Sequence, residues 1–200
     1  MAAVYRYFAL PHQFSTYQEQ PEQCGVCGER KPGYAGPFYG PLDIEFVCED
    51  CLTSGRLSAL DISTNSGDIA ALRAQLQALH PLMSEDERER IAREHTAELE
   101  YQTPLPVTWQ DFFWPAHCGD YCRVLKEVGR PEVARLSPVG DGPAFLLAHA
   151  RDIADRRHAT EVWDDMRPDS PTDNRISYSL GAYLFRCLIC GEYILLWNYD

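Results

Sequence analysis

Apolar residues at helical spacing predict two amphipathic helices in the middle of the chain. One face of residues 68–79 carries four of them, namely Ile69, Leu72, Leu76 and Leu79. Ser84 is followed three residues later by Glu87, the pattern of a capping box, so a second helix is expected to begin there and to run to about Glu100. Its surface is rich in acids and arginines, which indicates a face exposed to solvent.

Other segments predict short strands, a third helix and a loop. Residues 4–10 have the aromatic and β-branched content of a strand, and Pro143–Asp155 should form a helix. The packing residues of that helix would be Phe145, Leu146, Leu147 and Ile153. Residues 168–176 are expected to form a loop, and Tyr183–Tyr199 to form two strands around a turn that holds two cysteines. Four aromatic residues are expected in the core, namely Trp109, Phe112, Phe113 and Trp114.

These patterns together predict an α+β fold. Residues 21–53 combine two Cys-x-x-Cys pairs with several prolines and glycines, which favours turns and short strands over a helix. Zinc-ribbon-like knuckles and short β-hairpins would therefore combine with several helices. We expect an N-terminal zinc-ribbon-like region over residues 1–60, and a helical region over residues 61–200 closed by a zinc-bearing hairpin. A chain of 200 residues can bury one core, so we expect a single compact domain.

Composition restricts the compartment in which the chain works. Apolar residues make up 45% of the chain and charged residues 24%, and no apolar run approaches the roughly 20 residues that cross a bilayer. The N-terminal sequence has neither the basic region nor the apolar run of an export signal. We therefore expect a cytoplasmic protein without a membrane partner. In that compartment reduced thiols favour metal sites over disulfides.

The net charge restricts the partners. Thirty acidic residues against eighteen basic ones give a formal charge of −12, with every cysteine counted as neutral. Each zinc ion held by four thiolates would add about −2, so two such sites would bring the charge to about −16. Such a surface repels phosphate backbones, which argues against nucleic acid, and it favours a basic protein partner. The alternative is that the charge serves solubility alone.

Four of the eight cysteines have the spacing of a zinc ribbon. Cys24 and Cys27 are separated by two residues, as are Cys48 and Cys51, and twenty residues lie between the two pairs. Two intervening residues let both sulfurs face one ion at about 2.3 Å with nearly tetrahedral angles. Gly28 can adopt positive φ, which turns backbone N–H groups toward the sulfurs. We therefore predict a tetrathiolate zinc (Zn2+) site at these four cysteines.

The remaining four cysteines predict a second zinc site. Cys187 and Cys190 form a further knuckle that needs two more ligands. Cys118 and Cys122 are four residues apart, which places both sulfurs on one helical face or across one tight turn. Closing the long intervening loop costs entropy that grows only logarithmically with length, so zinc can offset it. The alternative is that His117 replaces one cysteine, giving a site of three cysteines and one histidine.

Zinc at such sites is expected to be structural. Four protein ligands leave no open position at which an ion could activate water. A redox dithiol at Cys24 and Cys27 is disfavoured, because no βαβ pattern surrounds it. The sequence contains no His-Glu-x-x-His, Gly-x-Ser-x-Gly or Gly-rich phosphate loop, so it predicts no catalytic residue.

An enzyme remains the alternative, with a zinc ion or a thiol at its centre. Its residues would be His117, Cys118 and Asp120, and it requires a pocket at this segment and a metal with fewer than four protein ligands. Asp120 either orients the site as a hydrogen-bond acceptor or caps a helix. We assign no role to the other histidines, which are His12, His80, His95, His149 and His158.

Several segments, in order along the chain, resemble the CbrC family. They are Gly36–Tyr39, Asp43–Glu45, Cys48–Cys51 with Gly55, Thr103–Pro104, Trp109–Gln110, Trp114–Cys122 and Tyr183–Gly191. The most specific strings are His-Cys-Gly-Asp-x-Cys and Tyr-Leu-Phe-Arg-Cys. The chain departs from the family pattern at Glu49 and Asp50, which replace a Pro-Trp pair. It also lacks the acidic insertion and the full N-terminal Tyr-His-Pro-Asp-Pro element.

The resemblance implies a role in toxin tolerance. The namesake of the CbrC family is linked to tolerance of a nuclease-type colicin, and the family is otherwise poorly characterised. The partner implied is a protein, such as a basic toxin domain. The resemblance extends to the eight cysteines and, beside them, to His117 and Asp120.

Overall fold

The structure, a computed structural model, describes residues 3–108, 110–169 and 180–199. Contacts divide these residues into two compact units. The first contains the residues up to Val107, Phe112–Arg123 and Cys187–Cys190, and the second contains Thr108–Asp111, Val124–Arg186 and the residues from Gly191 onward. Helices and small sheets occur in both units, so the fold is α+β, as predicted. The boundary between residues 1–60 and 61–200 stays a prediction.

A three-stranded antiparallel sheet lies in the first unit. Its strands are β1 (Tyr17–Gln23), β2 (Arg30–Ala35) and β3 (Phe46–Cys48), in that order across the sheet. A single helical turn, α1 (Pro11–Phe14), precedes β1, and α2 (Glu49–Thr53) directly follows β3. The pattern of residues 21–53 does not indicate α2. Its first turn carries two acids, which the positive N-terminal end of a helix favours.

The two helices predicted from apolar spacing are confirmed. They are α3 (Ile69–Leu79) and α4 (Glu85–Gln102). Asp68 caps the first and Ser84 the second, and each side chain accepts a hydrogen bond from a backbone N–H three residues on, at 3.0 and 3.2 Å. The capping-box pattern therefore locates the start of α4 correctly.

Short strands complete the first unit. After a 3-10 helix at Arg56–Leu60, β4 (Ser66–Gly67) pairs in parallel with β5 (Phe113–Trp114), and β6 (Ala116–His117) forms a hairpin with β7 (Asp120–Tyr121). Large side chains fill the interior of this unit, including Tyr7, Tyr34, Leu52, Leu57, Leu72, Leu99, Trp114 and Tyr121. The β6–β7 hairpin is thus anchored beside a dense apolar core.

The second unit contains a three-stranded sheet and three helices. Its strands are β8 (Arg123–Glu127), β9 (Leu180–Arg186) and β10 (Tyr193–Tyr199), with β9 in the centre. Its helices are α5 (Arg130–Leu136), α6 (Gly142–His149) and α7 (Arg156–Asp165). The core residues include Val133, Phe145, Leu146, Val162, Leu184 and Leu195. The predicted hairpin is confirmed, because β9 and β10 pair along seven residues each.

The third predicted helix is shorter than expected. We expect it to reach Asp155, but α6 ends at His149. Ala150 instead forms a bridge with Leu195, and Arg151 N donates to Leu195 O at 3.0 Å. These backbone groups belong to the edge of the sheet, so they are not available to continue the helix.

The predicted strand at residues 4–10 is wrong. The backbone there is irregular, with one bridge at Phe8. Tyr5, Tyr7 and Phe8 are nonetheless at most 5% exposed. The aromatic content of this segment therefore reflects burial in the core and not pairing in a sheet.

The aromatic cluster is only partly in the core. Trp114 is buried as predicted, whereas Phe113 is 69% exposed. Trp109 and most of the predicted loop at 168–176 lie outside the described residues. Within the described ranges, no helix has the length and apolarity needed to cross a membrane.

Candidate metal centres

The first cluster brings four cysteine sulfurs together. Cys24 and Cys27 lie in the turn between β1 and β2, Cys48 ends β3, and Cys51 lies in α2. Their four Sγ atoms lie within 4.8 Å of one another, and the Sγ atoms of Cys27 and Cys48 are 3.8 Å apart. A tetrahedron with metal–sulfur bonds of about 2.3 Å has edges of about 3.8 Å. The spacing of these sulfurs therefore fits one ion the size of zinc.

Backbone N–H groups surround one sulfur of this cluster. Cys24 Sγ accepts hydrogen bonds from Val26 N at 3.4 Å and from Cys48 N at 3.3 Å. Burial acts to raise the pKa of the Cys24 thiol, but the N–H groups of Cys48, Cys27 and Val26 outweigh burial and lower this pKa to about 7. Burial raises the pKa of Cys51, and the neighbouring sulfurs of Cys48 and Cys27 raise it further. Neighbouring thiolates repel one another, and a bound cation would offset this repulsion and stabilise their charged form.

The second cluster joins one imidazole to three sulfurs. Ligand atoms of His117, Cys118, Cys187 and Cys190 all lie within 4.8 Å of one another. His117 Nδ1 is 3.3 Å from Cys118 Sγ and 3.4 Å from Cys190 Sγ. Burial raises the pKa of the Cys118 thiol to about 11, and the sulfurs of Cys190 and Cys187 contribute to the rise. Three cysteines and one histidine form a donor set that zinc commonly takes in structural sites.

A tight hairpin turn presents His117 and Cys118 to this cluster. His117 pairs with Asp120 at the end of the β6–β7 hairpin, which leaves a two-residue loop. In that loop Cys118 has a φ of 56° and Gly119 a φ of 78°. Positive φ at both central positions is the conformation of a type I′ turn, which matches the twist of the strands. The turn therefore holds both ligand atoms at the tip of the hairpin.

The two Cys-x-x-Cys knuckles have the same local geometry. Val26 N donates to Cys24 Sγ at 3.4 Å, and Ile189 N donates to Cys187 Sγ at the same distance. The glycine that follows the second cysteine of each pair has positive φ, 76° in one and 77° in the other. Two turns far apart in the sequence therefore share one ligand-presenting conformation. This repetition is independent support for metal binding at both.

Cys122, predicted as a ligand of the second site, lies outside the second cluster. It is fully buried, its N donates to Pro115 O at 2.9 Å, and its carbonyl accepts a 2.6 Å bond from the indole of Trp114. The prediction assumes a helical face or one tight turn, but the chain after Gly119 is extended. Three extended residues at about 3.3 Å each carry Cys122 about 10 Å from the hairpin tip. His117, the alternative ligand, is the fourth member of the cluster instead.

Seven of the eight predicted cysteines therefore lie in the two clusters. No disulfide joins any of the eight, all of which lie in the part of the chain that the structure describes. The sulfur and imidazole donors match those that zinc prefers, and the two groups can each hold one metal ion. Ligation itself stays a prediction.

Asp120 anchors a polar network beside the second cluster. It lies in β7, so its interpretation as a helix cap is wrong. Its carboxylate, 4% exposed, accepts hydrogen bonds from Arg6 at 2.5 Å, Tyr7 OH at 2.9 Å and Tyr121 N at 2.8 Å. His95 Nδ1 lies 3.1 Å away, in ion-pair range but outside hydrogen-bond geometry. Among the described residues, no hydrogen bond or ion pair joins the carboxylate to a ligand atom, so it supports the hairpin and not an individual ligand.

A cleft of about 490 Å³ opens beside Cys118. Its apolar wall includes Leu76, Ile91 and Ile189, and its polar wall includes Arg6, His80, His95 and Asp120. No role is predicted for His95 from the sequence. The sequence could have pointed to His95 through its place in α4. It lies on the same stripe as the buried Ala92 and Leu99, where a histidine is unusual. Arg6 carries no comparable signal, because its position depends on the irregular N-terminal segment.

Comparisons with known proteins extend over nearly the whole chain. The family model for the uncharacterised protein family UPF0167 matches residues 3–199. UPF0167 protein Mb2317 of Mycobacterium bovis is 25% identical over 194 residues, which cover 95% of this chain and 89% of the relative. UPF0167 protein MT2352 of Mycobacterium tuberculosis has the same identity and coverage. No solved structure matches the chain significantly.

Proposed function

The chain belongs to the uncharacterised protein family UPF0167, and we propose that it is a non-catalytic zinc protein that acts by binding another protein. The observation that carries this proposal is the pair of four-membered ligand groups, one of four cysteines and one of three cysteines with a histidine. Four protein donors around each ion would leave no position for a substrate or an activated water. Zinc would then contribute folding energy, and function would lie on the surface.

Charge supports a basic partner. The formal charge is −12, and zinc bound at both clusters would bring it to about −15, because the histidine of the second adds no negative charge. The carboxylates of Glu22, Asp43 and Glu45 line a groove of about 780 Å³ beside Cys24. Among the described residues, Asp43 and Glu45 have no ion-pair partner. A basic surface would supply the missing counter-charges and would be steered to this face.

The resemblance to the CbrC family suggests what that partner is. The family's namesake is linked to tolerance of a nuclease-type colicin, and nuclease domains are basic because they bind phosphate backbones. Direct capture of such a domain would block its nucleic-acid surface. The cytoplasm is the proposed compartment, since its reducing conditions would keep the seven clustered thiols available to metal.

Two measurements test this proposal in sequence. Metal analysis of the purified chain should give two zinc ions per chain, and a content near zero would remove the proposal. The zinc-loaded protein is then titrated with nuclease-type colicin domains at low and high salt. We expect binding that weakens strongly as salt rises. No complex at any salt would exclude direct capture.

Matched charge variants locate the binding face. The groove variant Glu22→Gln, Asp43→Asn, Glu45→Gln removes three negative charges from one place. The control variant Glu85→Gln, Asp86→Asn, Asp164→Asn removes three exposed charges elsewhere. If the groove binds, the first variant weakens the complex by about tenfold or more, and the control by much less. Equal effects would indicate a non-specific charge interaction.

An enzyme centred on His117, Cys118 and Asp120 is the second candidate. The cleft beside Cys118 favours it, because His95 Nδ1 lies 3.1 Å from Asp120 Oδ1 in its wall, and an imidazole near a carboxylate is a common general base. The four ligands at the second cluster argue against a metal-activated water, so this candidate is an acid–base or thiol enzyme. A panel of ester, amide and phosphoester substrates tests it. Turnover that is lost in His95→Gln but kept in His80→Gln would support it, and no turnover would remove it.

A further inference from the structure

The two clusters differ in their exposure to solvent. In the first, Cys24, Cys48 and Cys51 are at most 1% exposed, and only Cys27 is partly exposed. In the second, Cys187 alone is buried, at 3%, while Cys190 is exposed and Cys118 is partly exposed. Oxidation of cysteine depends on access to the sulfur as well as on its thiolate character. The sulfurs of the first cluster are therefore mostly shielded from oxidants in solution, and those of the second are more open to them.

Two routes lead a small molecule to the second cluster. Ile189, at the tip of the Cys187–Cys190 knuckle, is 65% exposed, so the knuckle itself faces solvent. The cleft of about 490 Å³ reaches Cys118 from another side, with Leu188 and Ile189 in its wall. A peroxide is small and neutral, so neither the negative charge of the chain nor the width of the cleft would exclude it.

The geometry also supplies a second sulfur for the reaction. All three sulfurs of the second cluster lie within 4.8 Å of one another, so an oxidised Cys190 has neighbours in reach. A disulfide requires a sulfur–sulfur distance of about 2.05 Å, which a modest movement of the exposed knuckle can give. The first cluster has the same proximity but not the same access.

We infer that the second cluster is a peroxide-reactive site that forms a disulfide through Cys190 and then loses its metal ion. This rests on the proposed zinc binding. The Cys190 sulfur attacks one peroxide oxygen, the O–O bond breaks, and water leaves with the second oxygen. The resulting sulfenic acid is attacked by the sulfur of Cys187 or Cys118, which forms the S–S bond and releases the second water. Two thiolates lose two electrons to one peroxide, two protons from solvent complete the two waters, and a disulfide sulfur no longer serves as a thiolate ligand.

Zinc release under peroxide tests this inference. The protein loaded with zinc is treated with hydrogen peroxide, and free zinc is followed with a chromogenic chelator. Alkylation and peptide mapping then identify the oxidised cysteines. We expect one zinc ion to leave about tenfold faster than the other, with a disulfide that includes Cys190. Reduction followed by added zinc should restore the initial metal content.

Matched ligand swaps make the result specific. Cys190→His keeps four donors but removes the exposed sulfur, so the fast phase should slow by about tenfold. Cys27→His makes the same swap at the most exposed cysteine of the first cluster and should leave the fast phase unchanged. Release of both ions at one rate, or prior oxidation of the first cluster, would overturn the inference. A protein that holds fewer than two zinc ions before peroxide is added would instead contradict the proposed function.

Discussion

His117 Nδ1 lies 3.4 Å from Cys190 Sγ, although 73 positions separate the two residues in the sequence. Closing a loop of that length costs about 4 kcal/mol of chain entropy. Structural zinc sites release on the order of 10 kcal/mol, so a bound ion would more than offset this cost. The contact therefore lies where a metal ion could offset the entropy cost of closing the loop.

The ligands of the second site can be identified by substitution. We expect His117→Ala to lower the zinc content from two ions to one, and His117→Cys to keep both, because a sulfur replaces the imidazole donor. Cys122→Ala should keep both ions and cost only about 1 kcal/mol through a small cavity. Native mass spectrometry and elemental analysis measure the content. Loss of an ion in Cys122→Ala, with none lost in His117→Ala, would instead support a second site of four cysteines.

The first cluster depends on a close approach between β2 and β3. Gly33 lies opposite Cys48, and a methyl group on it would lie 2.3 Å from Val47 O and 2.5 Å from Cys48 Cα. We expect Gly33→Ala to separate the strands, to destabilise the protein by about 3 kcal/mol and to release one zinc ion. Thermal melts and zinc analysis check this. Normal zinc content in Gly33→Ala would show that the strands adapt.

Gly28→Ala is the matched control for that substitution. The new methyl group has no heavy atom within 4 Å, and only the φ of 76° opposes it. A cost of about 1–2 kcal/mol with both zinc ions retained is expected. If Gly28→Ala lost zinc as readily as Gly33→Ala, backbone crowding at Gly33 would not be the cause.

Asp120 should support stability without holding metal. Asp120→Asn leaves the guanidinium of Arg6 with Glu98 alone and weakens the hydrogen bond from Tyr7. We expect a loss of about 2 kcal/mol, measured as a lower Tm, with zinc content unchanged at two. A stable variant that lacks one ion would instead place Asp120 among the ligands.

Chelation should destabilise the protein markedly. If two structural ions are bound, their removal with a strong chelator should lower the Tm by about 10 °C or more, and added zinc should restore it. Circular dichroism during a thermal scan measures the change. A Tm that is insensitive to a chelator known to have removed the metal would contradict a structural role.

The N-terminus of α6 should give a pH-dependent contribution to stability. Asp141 accepts hydrogen bonds from Arg156 at 2.7 Å and from Ala144 N at 3.0 Å, and both hold the pKa of this carboxyl below its usual value. A carboxyl whose pKa is lower in the folded state stabilises above its unfolded pKa of about 3.9, and the contribution is lost as pH falls through the folded value.

Asp141→Asn tests this contribution, because asparagine keeps the cap and removes the charge. The Tm of the variant should be lower than that of the native chain at about pH 6, and the difference should vanish at about pH 2. Any loss of metal in acid lowers the Tm of both proteins, so it drops out of the difference between them at each pH. A constant difference across this range would show that the charge is not responsible.

Local patterns predict much of this structure because their causes are local. The caps at Asp68 and Ser84 and the apolar spacing of α3 involve neighbours within one or two turns, so they are visible in the sequence. The Cys24–Cys27 and Cys187–Cys190 pairs are equally local, since each turn is formed by its own cysteines and the glycine that follows. The membership of these four cysteines in the two clusters could therefore be predicted.

The fourth member of the second cluster could not be decided from spacing. Cys118 and Cys122 meet one ion only if the chain between them is helical or tightly turned, and the β6–β7 hairpin extends it instead. That hairpin depends on the packing of Trp114 and Tyr121 in the core. The spacing of the cysteines carries no information about this packing. The early end of α6 has a similar origin, because Leu195 competes for the backbone of Ala150 and Arg151.

The positions of the two clusters along the chain also set the order in which they can be assembled. During translation the first has all its donors as soon as residue 51 has emerged, so it can take up metal while most of the polypeptide is still being made. The second must wait for Cys190, with His117 and Cys118 held ready at their hairpin. If both clusters bind zinc as proposed, the first can therefore be filled before the second.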